Sequence, residues 1–589
     1  MSEKNKKLLL GNAAVARGLY EAGCRFVSSY PGTPSTEITE DAAEYEEIYA
    51  EWAPNEKVAA EAAIGASIGG ARAFCGMKHV GLNVAADPVF ITSYIGANGG
   101  LVIGVADDPG MHSSQNEQDS RHYAIAAKLP MLEPSDSSEC LNYTKIAFEL
   151  SEKFDTPFIL RLSTRISHSQ SIVELNERQE IELKEYKKDA AKYVMMPNYA
   201  RGRHIIVEER LKKLSEFAET CEFNKIEYCD NNNKKIGIIT SGIAYQYAKE
   251  AFGDSASYLK LGLINPLPVK LIQEFAANVE RIIVVEELDD IIESWCKKIG
   301  VETDGKNILP VLGEYSQELL RDKILGEKTD NIELSEDINI PVRPPVLCAG
   351  CPHRGIFYIL KKLKLYVSGD IGCYTLGANA PLSAMDTTLC MGASISALHG
   401  FNKVRGIESA KNSIAVIGDS TFMHSGITGL IDIAYNQGIS KVLILDNSIT
   451  GMTGHQQNPC TGYTLKGEAV YGIKLEEICK ASGIKESNIR IIDPCDIDEA
   501  EKVLKEELTK EEPSVIIARR PCVLLKYVKK DKKYIVKQDE CKGCKICMNV
   551  GCPAISFEDK KAKIDLTSCT GCGLCGKLCK FGAIGEIIE

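Results

Sequence analysis

Eight cysteines near the end of the chain form a doubled pattern that restricts the fold more than any other feature. Cys541, Cys544, Cys547 and Cys552 make the first run, followed by Pro553, and Cys569, Cys572, Cys575 and Cys579 make the second. Two-residue gaps let one loop wrap three corners of a cube, and four soft, charged thiolates satisfy a 4Fe–4S cluster. Where one chain holds two such clusters, the fourth cysteine of each run crosses to the other cluster. The pattern assigns Cys541, Cys544, Cys547 and Cys579 to one centre, and Cys569, Cys572, Cys575 and Cys552 to the other. Two zinc knuckles would need only four ligands each and would not demand interlocked runs. The first run has four residues before its last cysteine where three are usual, and Lys580 stands where a proline commonly trails.

The chain has 589 residues, which at roughly 100–200 residues per domain suggests about three to five domains. Its 44% apolar and 25% charged residues suit a globular protein with a sizeable core. A net charge of −12 argues against nucleic acid as a partner, since that needs a basic face. The short lysine runs, Lys529–Lys530, Lys532–Lys533 and Lys560–Lys561, read as solvated surface. The apolar stretch Leu101–Ala106 is too short to span a membrane. Lysines precede Leu8–Leu10, but the stretch ends at Gly11–Asn12 without a small-residue cleavage site. The expected location is the cytoplasm. There thiols stay reduced, so 22 cysteines point to metal rather than disulfides.

Short apolar strands alternate with helical stretches, which predicts a multi-domain α/β protein with parallel sheets. The first domain, residues 1–165, has expected strands at Arg25–Ser29, Val80–Ala85, Leu101–Val105 and Pro157–Leu162. Residues 166–233 are highly charged, end in the run Asn231–Asn233, and read as a connector with some helix. A second α/β domain, 234–330, has strands at Ile236–Thr240, Tyr258–Leu263 and Arg281–Val285. A Pro-rich linker covers 331–344. A third α/β domain, 345–528, has strands at Leu365–Ser368, Ile414–Ile417, Val442–Asp446 and Val515–Ala518. The cysteine-rich domain is 529–589, a short internal duplication.

In the third α/β domain, Gly418-Asp419-Ser420 follows one strand and Asn447 ends the next. Both positions fall at the carboxyl ends of neighbouring strands, where open α/β sheets bind ligands. A hard cation such as Mg²⁺ takes oxygen ligands, which Asp419, Asn447 and the Ile449 carbonyl would supply beside a phosphate. Gly418 and the helix start behind it let main-chain amides approach that phosphate. An ordinary strand–turn–helix with Asp as N-cap is the plainer reading. The Gly-Asp to Asn spacing resembles the motif of thiamine-diphosphate enzymes. Those enzymes need a carboxylate in a second α/β domain, against the aminopyrimidine ring. Glu61, opening the small-residue helix Glu61–Gly70, is similar to that glutamate, with Glu56 and Glu51 as competitors. Tyr30–Ser35 is a rigid turn with a free hydroxyl at Thr33. Arg121 is a candidate carboxylate clamp.

Together with Cys348-Ala349-Gly350-Cys351-Pro352-His353 and Gly369-Asp370-Ile371-Gly372-Cys373, these marks make nearly the whole chain resemble the 2-oxoacid:ferredoxin oxidoreductases, above all those acting on indolepyruvate. The resemblance implies a pyrimidine-binding first domain, a transketolase-C-like second, a diphosphate-binding third and a ferredoxin-like tail. It implies thiamine diphosphate, Mg²⁺ and iron–sulfur clusters. It also implies oxidation of aryl pyruvates with CoA to aryl-acetyl-CoA and CO₂, with electrons passed to ferredoxin. The family's gamma-type domain is missing, which implies a small beta subunit and a higher hetero-oligomer. Cys351, His353, Asp370, Gly372, Gly418 and Ser420 become cofactor-binding candidates, and Thr33, Arg121 and His424 join Glu61 as catalytic ones. Related enzymes carry a third 4Fe–4S cluster beside the thiamine, and Cys348, Cys351, Cys373 and Cys522 resemble its ligands. The bland alternative makes Cys348 and Cys351 lining residues and the other two core thiols. Rival functions are a related oxidoreductase of different substrate, a non-redox thiamine decarboxylase with a structural tail, and a plain electron carrier.

Overall fold

The computed structural model describes residues 5–229, 235–328, 340, 341 and 343–588. The expected Asn231–Asn233 run and most of the 331–344 linker fall outside these residues. The chain divides into two compact units, residues 1–335 and 336–589.

The first unit is built on a seven-stranded sheet in the order Leu263–Asn265, Met131–Leu132, Phe158–Ser163, Leu101–Asp107, Ala73–Lys78, Phe26–Ser29, Tyr49–Trp52. All its pairs are parallel except the first, which is antiparallel. Every residue of Leu101–Asp107 is buried, as expected of a strand covered by helices on both faces. A four-stranded sheet, Arg281–Val285, Ile236–Ser241, Ser257–Leu261, Lys225–Glu227, completes the unit.

Three expectations fail here. The expected strand Tyr258–Leu263 is split: Ser257–Leu261 lies in the four-stranded sheet and Leu263–Asn265 at the edge of the seven-stranded one. Val80–Ala85 is not a strand: the sheet uses Ala73–Lys78, and His79–Val84 is a short helix. The apolar residues Val80, Leu82 and Val84 alternate as in a strand, but only His79, Gly81 and Leu82 are buried in that helix. The bare Gly81 backbone passes against Glu56; a Cβ there would lie 2.6 Å from Glu56 Oε1. Residues 166–229 of the expected connector also hold more secondary structure than a connector would. Gln170–Glu174 pairs antiparallel with Lys6–Leu10, and Pro197–Ala218 is a 22-residue helix. Its charge disguised a docked face, because Arg203 and Arg210 are themselves buried. Their guanidiniums donate to the carbonyls of Tyr94 (2.5 Å) and Ser93 (2.7 Å) at the end of the helix Ala86–Ile95. Those carbonyls lack partners within their own helix.

Buried ion pairs brace this unit, and one of them, Arg121 with Glu286, runs between segments of its two sheets. Arg121 pairs with Asp119 (2.5 Å) and with Glu286, and donates to the carbonyls of Glu287 (3.0 Å) and Asp289 (2.8 Å). Arg161 pairs with Asp107 (2.8 Å) and Glu133. Arg121 is therefore not a clamp for a substrate carboxylate. Its donors are taken by the chain's own acids, and only 2% of its side chain is exposed.

The second unit carries a six-stranded sheet in the order Thr387–Thr388, Tyr366–Gly369, Ser413–Gly418, Lys441–Asp446, Ser514–Arg519, Ile489–Ile492, with every pair parallel. The tail adds two hairpin-like pairs, Lys532–Val536 with Ile584–Ile588 and Ile555–Glu558 with Lys561–Ile564. Among the described residues no helix is long and apolar enough to cross a membrane.

Removing one partner of a buried ion pair leaves the other charge unanswered, at a cost of about 3–5 kcal/mol. Arg121→Met should lower stability by that amount. Denaturant unfolding should show it as an earlier transition for the first unit, with the visible absorbance of the tail unchanged.

Candidate active site and cysteine centres

Ser413–Gly418 and Lys441–Asp446 are neighbouring parallel strands with Gly418 opposite Leu445. Asp419 and Asn447 each follow their strand by one residue, so they stand together at the carboxyl edge of the sheet. Asp419 is 2% exposed. Burial, reinforced by the nearby Asp446, pushes its carboxyl up to about 7. Asn458 Nδ2 donates to it at 3.3 Å. Among the described residues no cation pairs with it, whereas its neighbour Asp446 has Arg519 at 2.6 Å. Asn447 is also buried, and its Oδ1 accepts from the Ile449 amide at 3.2 Å. Thr450 donates to Ser420 Oγ at 2.9 Å. A buried acid without a counter-charge, among oxygen donors, fits a divalent cation. Gly418 must be glycine, because a Cβ there would lie 2.7 Å from the Tyr374 ring.

The other expected cofactor residues divide. Asp370 does not face a ligand. It is fully buried, and its oxygens accept from the amides of Ile371, Gly392 and Ser394, each at 2.9 Å, so it braces two loops. The Gly372 amide donates to Thr375 Oγ1 at 3.1 Å in the same turn. His353 is buried edge-on to Tyr374, and burial pushes it down to about 4, so its ring is neutral at pH 7. His424 is buried with Nδ1 2.6 Å from Ser425 Oγ.

In the first unit the glutamate assignment changes. The helix is Glu56–Ile68, capped by Asn55, whose side chain accepts from the Val58 amide. Glu61 lies on its open side, with 47% of its side chain exposed, paired with Lys57. Glu56, at the first helical position, is 4% exposed. Glu56, not Glu61, is thus the buried carboxylate of this helix. Asn55, six residues before Glu61, was the sequence signal that marks the true helix start. Lys78, which sequence reasoning passed over, lies against the Tyr30–Ser35 turn: a Cβ on Gly32 would be 3.3 Å from Lys78 Cγ. Its Nζ donates to the Ser113 carbonyl at 3.1 Å, and Ser113 Oγ donates to the Thr33 carbonyl at 3.3 Å. Burial lowers its pKa, opposed by Asp108 and Glu56. The only signal in the sequence is a lone lysine closing the otherwise uncharged strand Ala73–Lys78.

The tail cysteines form two rings. One cavity is lined by Cys541, Cys544, Cys547 and Cys579, the other by Cys552, Cys569, Cys572 and Cys575. Each ring thus combines three cysteines of one run with the last of the other. Among the described residues no three His, Cys, Asp or Glu side chains converge as on a single metal ion. Cysteines standing apart round a cavity suit a four-iron cube better than one zinc. Thr570 lines the second cavity, and its Oγ1 is buried without a hydrogen-bond partner among the described residues. Its hydroxyl would be satisfied by cluster or thiolate sulfur.

Cys348, Cys351, Cys373 and Cys522 also approach one another. Burial pushes Cys351 up to about 12 and Cys373 up to about 11. Neighbouring thiols add to the shifts: Cys373 and Cys348 act on Cys351, and Cys522 and Cys348 on Cys373. The Cys522 amide donates to the Asn447 carbonyl at 2.9 Å. A Cβ on Gly451 would lie 3.5 Å from Cys373 Sγ and 3.7 Å from Asn447 Nδ2. This cysteine set therefore borders the Asp419–Asn447 edge.

Three family models match the chain. Residues 17–222 match the thiamine-diphosphate-binding domain of pyruvate flavodoxin/ferredoxin oxidoreductase. Residues 370–518 match the C-terminal TPP-binding domain of thiamine pyrophosphate enzymes, and 562–585 the 4Fe-4S binding domain. Indolepyruvate oxidoreductase subunit IorA of Archaeoglobus fulgidus is 40% identical, over 99% of this chain and 98% of its own. The same subunit of Thermococcus kodakarensis is 41% identical, over 99% and 97%. The 2-oxoglutarate synthase subunit KorA of Archaeoglobus fulgidus is 25% identical, over 52% of this chain and 96% of its own. On this full-length likeness, the chain belongs to the indolepyruvate oxidoreductase IorA family of 2-oxoacid:ferredoxin oxidoreductases.

Proposed function

We propose that the chain is the large subunit of an enzyme that oxidises aryl 2-oxoacids, indolepyruvate among them, with CoA to aryl-acetyl-CoA and CO₂, delivering electrons to ferredoxin. One observation carries the redox reading. The unit whose sheet edge holds a buried, counter-ion-free Asp419 also holds two rings of four cysteines. A non-redox decarboxylase has no use for the rings, and a plain electron carrier has none for the sheet edge.

Thiamine diphosphate supplies the electron sink for decarboxylation. Asp419, Asn447 and the Ile449 carbonyl hold Mg²⁺ against its diphosphate, with Gly418 and Ser420 alongside. Glu56 takes the role first sought at Glu61, keeping a proton on the pyrimidine ring nitrogen. Lys78 and Thr33 are the polar groups for the substrate carboxylate in place of Arg121. Cys348, Cys351, Cys373 and Cys522 hold a third 4Fe–4S centre, and the tail rings hold the other two. One-electron centres are required because decarboxylation releases an electron pair that ferredoxin takes singly. The enzyme acts in the cytoplasm, with a small beta subunit that supplies the gamma-type domain. Indolepyruvate and phenylpyruvate differ mainly in apolar bulk, which a pocket separates by only about 1–3 kcal/mol.

The holoenzyme, assayed without oxygen with indolepyruvate, CoA and a low-potential dye, should reduce dye in step with thioester formation. CO₂ release without dye reduction would mean a non-redox decarboxylase.

Asp419→Ala should lose bound thiamine diphosphate while keeping the visible absorbance of the tail. Full cofactor content in that variant would remove Asp419 from the metal site.

Glu56→Gln should retain the cofactor but lose about 10²–10⁴-fold in kcat, the usual worth of a positioned proton-transfer group. Glu61→Gln should stay near wild type. The reverse ranking would return the role to Glu61.

A further inference from the structure

Arg354 is a buried cation of unusual setting. Its residue is 2% exposed, and no carboxylate among the described residues lies within ion-pair distance of it. Every hydrogen bond of the guanidinium goes to a main-chain carbonyl. Nε donates to Cys348 (2.9 Å), one terminal nitrogen to Val550 (2.9 Å) and Gly551 (2.6 Å), and the other to Leu347. These carbonyls belong to two separate cysteine segments: Leu347–Cys348 opens the Cys348–Cys351 turn, and Val550–Gly551 precedes Cys552. Arg354 also lines the cavity ringed by Cys552, Cys569, Cys572 and Cys575.

The Cys348–Cys351 turn also touches a third cysteine segment. Gly350 has a φ of +70°, and a Cβ there would sit 1.8 Å from Thr570 Oγ1. The turn between Cys348 and Cys351 is thus pressed against the loop between Cys569 and Cys572. Burial depresses the Arg354 pKa, and the sulfurs that oppose this most are those of Cys552, Cys351, Cys348 and Cys572, from both sets.

A guanidinium taken out of water without an anion is strongly disfavoured. Main-chain carbonyls satisfy its N–H groups but not its charge. A four-thiolate iron–sulfur centre is a net anion, and it gains one more negative charge when it takes up an electron. Charge near a centre and hydrogen bonding around its sulfurs set its potential.

We propose that Arg354 is the shared counter-charge of two adjacent iron–sulfur centres, the Cys552/Cys569/Cys572/Cys575 centre and the Cys348/Cys351/Cys373/Cys522 centre, and that it raises the reduction potential of both. One electron enters a centre and the charge beside Arg354 becomes more negative by one; no proton and no bond is involved. The Cys541/Cys544/Cys547/Cys579 ring lacks this cation, since its cavity is lined without Arg354. This assignment rests on the reading of the cysteine sets as iron–sulfur centres.

The test is a dithionite potentiometric titration of the holoenzyme followed by electron paramagnetic resonance. Signals are assigned by their loss in Cys572→Ser and Cys544→Ser variants. In Arg354→Gln the reduction equilibrium constant of the Cys572 centre should fall at least tenfold, about 59 mV for one electron, while the Cys544 centre moves less than twofold. Arg354→Lys keeps the charge and should stay within about threefold of wild type by the same electrostatic argument. An unmoved Cys572 centre, an equal shift at the Cys544 centre, or a lysine variant that falls as far as the glutamine variant would each overturn the proposal. Loss of iron from the Cys572 centre in both variants would also overturn it, in favour of a purely structural arginine. Iron analysis of the wild type separates the readings beneath it. About twelve irons per chain support three centres at four irons each. About eight remove the third centre and with it the shared role, which overturns the proposal. No iron would sink the cluster reading itself.

Discussion

A charge taken out of water has to be answered by another charge, and where the answer comes from separates framework from site in this protein. In the first unit the answer is internal. Arg121 and Arg161 are buried among Asp119, Glu286, Asp107 and Glu133, contributed by segments far apart in the sequence. Such a network answers its own charges, and through Arg121 and Glu286 it links segments of the two sheets. In the second unit the answer is missing at two places. Among the described residues Asp419 is a buried acid without a cation, and Arg354 is a buried cation without an acid. Both lie where the sequence pattern asks for a charged group from outside, a divalent cation at the strand ends and an anionic cluster at the cysteines.

The same distinction explains what could be read from the sequence. The cysteine rings were legible because their ligands come from two short loops, and the crossing of the fourth cysteine follows from the doubled spacing. Asp419 and Asn447 were legible because apolar runs of parallel-sheet type end beside them. Arg121 was not, because Glu286 lies 165 residues away and nothing local distinguishes a paired arginine from a free one. The glutamate failed for a different reason. Glu56 and Glu61 are five positions apart, about 140° round a helix, so one faces the protein when the other faces out. Reading the small-residue run Ala62–Gly70 as the start of the helix, and not as its continuation, chose the wrong face. The long helix Pro197–Ala218 was obscured because two of its buried residues are arginines that cap carbonyls of another helix.

The second unit also shows why a sheet edge and cysteine loops are combined in one fold. Loops at the carboxyl ends of parallel strands are held at both ends by rigid elements, so a side chain there can be placed against a ligand without an ordered helix of its own. Asn447 and Cys522 leave adjacent strands, and the Cys522 amide is bonded to the Asn447 carbonyl. Cys373 reaches the same edge from the strand Tyr366–Gly369, on the far side of Ser413–Gly418.

That arrangement has a consequence for electron flow on the proposed reading. The Asp419–Asn447 edge borders Cys373 and Cys522, those thiols border the Cys348–Cys351 turn, and the turn is pressed against the Cys569–Cys572 loop through Gly350 and Thr570. These loops all belong to one compact unit, so the spacing of the centres is set by its packing and not by a flexible tether. A side chain at position 350 would part the turn from the tail loop, and one at 418 would displace Tyr374. Gly418 and Gly350 are therefore distance constraints as much as turn residues. The first keeps the diphosphate edge open, and the second keeps two cysteine sets close enough for a single buried arginine to bond to both.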